Sequence, residues 1–391
     1  MRRFGRVAVL VVSALALVVG CAAPSPVAAP PPPGCLPGAA PAPLPEFRFA
    51  RNVSARQEAG CRVLTVTRPF PGGAPRSVVL VDCGAPDPPL PAGLAGAPLV
   101  HTPVSGLFAA STTQLPAVEA LGLLDRLTGV GDPALVSDPA VRARAESPSV
   151  TAFAPGGVIA AEPVIAAAPP VLLSGGTDDP AFAALRAARI PVVDWADYLE
   201  QGPLAQAEWI KVMGALTGRD AEATRQFDAV AARYTALAGR AKAVPAVPVA
   251  IGQPYQGTWT IPSRDSTTGG LLRDAGATWS GAVRPGSGSA PASLEAVLAD
   301  DGAARIWLAD GPWRSTADVA ATDPRLRTMA AVGPGGQVWT RDKMLGPGGG
   351  NQYYERGVAH PDEILADLVS IVHPQLEPGR DTVYFRPVPA G

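Results

Sequence analysis

Residues 203–242 read PLAQAEWIKVMGALTGRDAEATRQFDAVAARYTALAGRAK, and the spacing of their apolar side chains decides the fold. From Ala223 onward, Phe227, Val230, Tyr234, Leu237 and Ala241 recur at intervals of three and four, which places them on one face of an α-helix. Arg225, Asp228, Arg233 and Arg240 fall largely elsewhere around the wheel. Gly218 divides the stretch. A first helix over about 204–216 ends there, and Asp220 is a candidate cap for a second. At ~1.5 Å per residue the second helix is roughly 30 Å long, the width of a small domain. Such a helix is either an ordinary surface helix of one large domain or a strut between two bodies. The flanks discriminate.

Before it, 107–112 is a strand candidate, followed by a helix punctuated by Pro116 and Gly122. A short helix (156–169), a buried strand (170–176) and a further helix and strand follow. After it the theme restarts. Strands at 248–252 and 304–310 alternate with helices at 266–276 and 293–299, then a helix at 323–332 and a strand at 336–342. The chain closes with an amphipathic helix, 360–374. Ala/Leu helices alternating with Val-rich strands specify α/β architecture with mostly parallel sheets. The expected fold is therefore two α/β lobes joined by a long backbone α-helix: lobe one over 46–202, the strut over 203–243, lobe two over 244–391.

At 391 residues the chain is long enough for two or three domains. A net charge of −2 provides no basic surface for nucleic acid. The three histidines, His101, His360 and His373, are scattered, and no HExxH, GxSxG or Walker loop occurs. Nothing marks an enzyme. A direct zinc or manganese site, which wants clustered His and carboxylate ligands, is disfavoured, and no cofactor is implied. His360 and His373 each precede a proline at the ends of the last helix and read as caps or surface residues.

Residues 1–21, MRRFGRVAVLVVSALALVVGC, combine Arg2, Arg3 and Arg6 with an apolar run too short for a comfortable membrane span. The stretch resembles a bacterial lipoprotein signal in which Cys21 is lipidated and becomes the mature N-terminus. Residues 22–45, rich in Pro and Ala, read as a tether. Beyond Cys21 the cysteines are Cys35, Cys61 and Cys83. Strands at 61–67 and 77–83 around PFPGGAP suggest a hairpin centred near Gly72, which would set Cys61 opposite Cys83 within disulfide reach.

Several blocks, in order, resemble the helical-backbone class of ABC-transporter substrate-binding proteins, which includes ferric-siderophore and cobalamin binders. They are 111–116 (STTQLP) with 120–123 and 129–130, 207–211 (AEWIK), 257–262 (GTWTIP) with 271–276, and 349–355 (GGNQYYE) with 357–359, Pro361, 365–368 and 373–374. Together they span about residues 100–385. Two departures stand out: Ser263-Arg264 replaces the usual glycines after the Trp-x-x-Pro turn, and Pro169-Pro170-Val171 replaces Pro-Asp-Leu. The resemblance implies a ligand cleft between the lobes and a monomer lipid-anchored to the outer face of a bacterial cytoplasmic membrane. It also implies delivery of an iron chelate (siderophore), haem or corrinoid to an ABC permease. An acidic residue on each lobe would engage that permease, and Glu162 and Glu295, each beginning a helix, are the candidates. Favourable placement against the helix dipole explains them equally. A sensor or interaction lipoprotein of the same fold is the alternative function.

Loops at the carboxyl ends of parallel strands line clefts in open α/β sheets. On that ground Tyr255, Trp259, Trp313 and Arg314 are ligand candidates, with core packing as the alternative. Arg264 either faces an anionic ligand or pairs with Asp265. Asn351, Tyr353 and Tyr354 follow a Gly-rich loop and either border the cleft or cap locally. In lobe one, Thr112, Thr113 and Gln114, together with Gly175, Gly176 and Thr177, open helices where backbone amides can meet ligand oxygens or are simply capped.

Overall fold

The computed structural model describes residues 34–38 and 43–391. The proposed signal, Cys21 and most of the tether lie outside the described residues. Four sheets carry the body. The first comprises β1 (Val53–Glu58), β2 (Cys61–Val66), β3 (Arg76–Asp82) and β4 (Leu99–Thr102), in that order. The second comprises β5 (Leu107–Ala109), β6 (Leu127–Val130), β7 (Thr151–Ala152), β8 (Leu172–Leu173) and β9 (Val192–Val193). It is wholly parallel, in the order β7-β6-β5-β8-β9. Its central strands β5 and β8 are buried along their length, as strands covered on both faces must be.

Lobe two supplies β10 (Val247–Ile251), β11 (Pro254–Tyr255), β12 (Thr258–Pro262), β13 (Ala277–Thr278), β14 (Ser289–Ala292), β15 (Ile306–Ala309), β16 (Gln337–Thr340) and β17 (Arg386–Val388). Its main sheet runs β13-β10-β15-β16-β17, parallel except for β17, and β11-β12-β14 form a small antiparallel sheet beside it. In both main sheets the strand order reverses at the centre, between β5 and β8 and between β10 and β15. The crevices outside those strand ends are where ligands lodge in open α/β sheets.

Helices α1 (Leu115–Ala120), α2 (Pro139–Ala145), α3 (Ala161–Ala167) and α4 (Ala181–Ala187) belong to lobe one. The 203–242 stretch forms α5 (Pro203–Ala207), α6 (Ile210–Thr217) and α7 (Asp220–Lys242). Lobe two adds α8 (Thr267–Asp274), α9 (Leu294–Asp300), α10 (Thr316–Thr322), α11 (Arg356–Ala359) and α12 (Pro361–Val372). On α7 the residues read from periodicity as one face, Phe227, Val230, Tyr234, Leu237 and Ala241, are all buried, and α6, α8 and α12 pack against the helix. Asp220 is the first helical residue of α7, and Arg219 holds the cap position. The 323–332 segment closes as a short 3-10 helix (Pro324–Thr328). His360 and His373 cap the two ends of α12.

Two buried carboxylates stitch the amino-terminal segment to this frame. Glu208, fully buried, accepts from the backbone N–H groups of Arg48, Phe49 and Ala50 at 2.7–3.0 Å and from Lys211 Nζ at 2.8 Å. Glu200 accepts from Arg51 N, Asn52 N and Trp209 Nε1 at 2.8–2.9 Å. Lysine and amides together satisfy the Glu208 charge that burial would otherwise make costly.

The expected Cys61–Cys83 bridge is corrected. The disulfide joins Cys35 to Cys83, and Cys61 is a free, buried thiol. The β2–β3 register pairs Arg62 with Leu80, so continuing it sets Cys61 level with Val81 rather than Cys83. Cys61 packs with Val63, Val79, Val81 and Leu94. Cys83 instead lies beside Thr102, whose carbonyl accepts its N–H, and Cys35 is brought alongside by its bridge to Val104. Residues 34–38 are consequently docked on the body, and the reading of 22–45 as a tether throughout is corrected there.

Candidate ligand-binding site

The cavity, about 300 Å³, is lined from both sides of the long helix. From the lobe-one side come Tyr198, in the 3-10 turn after β9, and Gln206 of α5. The Tyr198 hydroxyl donates to the carbonyl of Gly176 at 2.9 Å. Gly176 has φ +72°, and a Cβ there would lie 2.6 Å from the Tyr198 ring, so only glycine lets this contact form. Gln206 Nε2 donates to Asp197 Oδ2 at 3.1 Å. Burial pushes the Asp197 carboxyl up to about 6, against the lowering effect of that hydrogen bond.

Lobe two contributes the first turn of α8, where Ser266 caps the helix by accepting from Gly269 N at 3.0 Å and Thr267 and Thr268 face the cavity. Opposite runs a lip, Ser287–Ser289. The Asp265 carboxylate holds that lip by accepting from Gly286 N at 3.0 Å, and Ser263 N donates to Gly288 O at 2.9 Å.

Arg341, directly after β16, forms a two-pronged ion pair with Asp310 at the end of β15, Nη2 donating to Oδ2 at 2.7 Å. Its guanidinium carbon lies 4.8 Å from the Tyr353 ring centre and 5.0 Å from that of Tyr354. Burial opposes its charge, but Tyr353, Asp310 and Tyr354 outweigh burial, so its pKa is raised and the group stays protonated. Burial pushes the Tyr354 phenol up to about 12, only partly countered by Arg341, so it too keeps its proton at neutral pH.

The segment carrying Tyr353 and Tyr354 crosses to lobe one. A Cβ on Gly350 would lie 1.9 Å from the carbonyl oxygen of Leu135, so the strap approaches closer than any side chain allows. Glu355, buried, then accepts from Ser137 N at 2.7 Å and Asp138 N at 3.1 Å. Asn351 shapes the turn: Nδ2 donates to Arg341 O and Oδ1 accepts from Tyr353 N, both at 2.9 Å.

Of the candidates from sequence, Tyr353 and Tyr354 line the cavity, and Asn351 and Gly176 support it from behind. Trp259 and Trp313 do not line it. Trp259 is 1% exposed, stacks on Trp307 at 5.5 Å and donates from Nε1 to Ile251 O. Trp313 meets Trp307 edge-on at 5.1 Å and donates to Thr322 Oγ1. Each indole finds its polar partner inside the lobe, which favours the core over the cleft. Arg264 pairs with Asp265 at 3.1 Å, Arg314 is exposed, and Tyr255 is 70% exposed on the β11–β12 hairpin. Gln114 is buried, bonded to Ser174 O and within the capping box of Ser111, and Thr112 and Thr113 lie in the turn that this box caps, Thr113 N donating to Ser111 Oγ. Thr177 is exposed. Glu162 and Glu295 are exposed in the first turns of α3 and α9, and Glu295 also pairs with Arg325 at 2.5 Å.

Tyr198, Gln206, the α8 hydroxyls and Arg341 escaped the sequence reading. Arg341 obeys the strand-end rule as well as Trp313 does, and that rule was the one signal that pointed to it. Among the described residues no cluster of three or more His, Cys, Asp or Glu side chains is placed to hold a metal, and no helix is long and apolar enough to cross a membrane.

Two α/β lobes spanned by a long helix, with a cavity drawing on both, define a binding protein. Residues 108–335, more than half of the chain, match the family model described as periplasmic binding protein, and the chain belongs to that family of binding proteins rather than to an enzyme family. It is 28% identical over 193 residues to an uncharacterized lipoprotein of Methanocaldococcus jannaschii, covering 49% of this chain and 44% of that one. The chain thus spans less than half the length of this curated relative. Among solved structures it resembles a periplasmic heme-binding protein from Pseudomonas aeruginosa, with TM-score 0.54 and 21% identity, covering 73% of this chain and 99% of the other. A periplasmic binding protein from Veillonella parvula gives TM-score 0.56 and 14% identity, with 83% and 98% covered. A periplasmic heme-binding protein of Vibrio cholerae gives 0.52 and 17%, with 66% and 98% covered. These similarities show the fold. The first sheet and the segment carrying Arg341, Tyr353 and Tyr354 lie outside the family match.

Proposed function

We propose that this protein is the extracytoplasmic substrate-binding component of an ABC importer, capturing an iron chelate, haem or corrinoid and delivering it to a membrane permease. The observation that carries the reading is the cavity itself. Its walls come from both sides of the strut, and its tyrosines and hydroxyls offer flat apolar faces beside hydrogen-bonding groups. The heme-binding names of two similar structures agree with a ligand of this kind. Lipidation at Cys21 would hold the protein at the membrane, and the lipoprotein relative is consistent with that anchor. The exposure of Glu162 and Glu295 at the starts of α3 and α9 supports a role for them in meeting basic permease residues. Isothermal titration of the mature protein against ferric hydroxamates, ferric citrate, haem and cyanocobalamin tests the reading. Binding of at least one with micromolar or tighter affinity is expected. No binding by the folded protein refutes it and favours a sensor or interaction role for the same fold.

A further inference from the structure

The one charge in the cavity wall is cancelled by a neighbour. Among the described lining residues there is one ionisable cation, Arg341, and no carboxylate. Arg341 is already matched by Asp310, which stands behind it at the end of β15, where the strand order reverses, and donates its own N–H to Gln253 Oε1 at 3.0 Å. Three arginines on adjoining elements are matched as well, Arg264 by Asp265, Arg273 by Asp274 and Arg356 by Glu363, while Arg284, just before the lip, is exposed outside the lining. The remaining polar lining is hydroxyl and amide, and includes Tyr198, Gln206, Thr267, Thr268, Ser287 and Ser289. Tyr354 keeps its proton, so it offers a hydrogen-bond donor rather than a phenolate.

An anion entering this space would shed its water, find the arginine occupied and face Asp310 across it. An uncharged ligand rich in oxygen acceptors loses little hydration and gains hydroxyl partners. We propose that the cavity selects ligands whose enclosed part carries no net charge, an uncharged oxygen-rich chelate rather than a carboxylate- or catecholate-bearing anion, and that Asp310 imposes this selectivity by neutralising Arg341. The proposal rests on the ligand-binding role given above and narrows it. Asp310 is a specificity-determining residue acting through Arg341, and its partial exposure makes it replaceable without emptying the core.

The test is a charge series measured by isothermal titration: a neutral ferric trihydroxamate and neutral cyanocobalamin against ferric citrate, a ferric tricatecholate and haem with its propionates. The wild type should bind a neutral probe at least about tenfold tighter than every anionic one. Asp310→Asn, which uncovers the Arg341 charge, should move the anionic-to-neutral affinity ratio toward the anions by about 10- to 100-fold. Asp310→Glu should restore the neutral preference, and Arg341→Gln should not create an anionic one. A wild type that favours an anionic probe, or a folded Asp310→Asn protein with an unchanged ratio, overturns this inference while leaving the ligand-binding reading standing. Should Asp310→Asn fail to fold, the wild-type series decides by itself. If no probe binds the folded wild type, the underlying reading falls and the inference with it.

Discussion

Replacing Glu208 by glutamine should loosen the amino-terminal segment from the strut. In the native protein one fully buried carboxylate serves three consecutive backbone N–H donors, of Arg48, Phe49 and Ala50, and the ammonium of Lys211. That ammonium, itself almost wholly buried, also donates to Glu46 O at 2.7 Å and lies 4.9 Å from the Phe227 ring centre. Glutamine keeps the volume but offers one neutral acceptor atom, and its NH2 must face a donor. Lys211 would be left buried without an anion. Breaking a buried pair in this way costs about 3–5 kcal/mol, and the weakened amide bonds fall within that figure. Burial alone would raise the Glu208 pKa, but the amides and Lys211 outweigh it and hold it below the ordinary 4.5. A depressed carboxyl stabilises fully above its unfolded pKa and loses that contribution as pH falls through its folded value. Equilibrium urea unfolding near pH 7, followed by circular dichroism, should therefore show the full deficit, and the gap to wild type should narrow in acid. Hydrogen exchange at 48–50 should accelerate. A deficit under ~1 kcal/mol with unchanged exchange at those amides would refute the argument that this carboxylate anchors the segment.

Asp197→Asn should act in the opposite sense. Its carboxyl, pushed up to about 6 by burial, favours the folded state only while protonated, so that contribution is present below about pH 4, declines as pH rises to about 6, and is gone at neutrality. Asparagine removes that loss and should raise stability at pH 7 by up to ~3 kcal/mol while flattening the dependence between pH 4 and 6; equal pH profiles for the two proteins would contradict it. Non-reducing peptide mapping should recover Cys35 linked to Cys83 and leave Cys61 unalkylated until the chain is denatured, and Cys83→Ser should cost ~2–4 kcal/mol; a Cys61 disulfide would overturn the assignment. Trp259→Ala should cost ~3–5 kcal/mol of stability, whereas Tyr353→Ala should weaken binding of whichever ligand is found by ~1–3 kcal/mol; the reverse pattern would return Trp259 to the cleft.

What the sequence by itself determined is what repeats along it. The three-and-four spacing from Phe227 to Ala241 specifies a helix face whatever covers it, and the buried apolar runs at β5, β8, β10 and β15 specify strands of parallel sheets. The Gly-rich loop before Tyr353 and Tyr354 was also legible, and both tyrosines line the cavity, whereas position at the end of a strand singled out Tyr255, Trp259, Trp313 and Arg314, which do not. Which strand-end residue turns inward was not legible, because it depends on partners far away in the chain. Trp259 and Trp313 are drawn into the core by Trp307 between them and by acceptors at Ile251 and Thr322. Arg341 reaches the cavity because Asp310, on the neighbouring strand, and two tyrosines on a returning strap hold it there. The same holds for the disulfide. The β2–β3 hairpin was readable, but its register, and the arrival of Cys35 beside Val104, were set by packing. Periodicity is a property of neighbours in sequence, whereas a cavity and a cross-link are properties of neighbours in space. Only the folded chain decides which of many similar side chains become those.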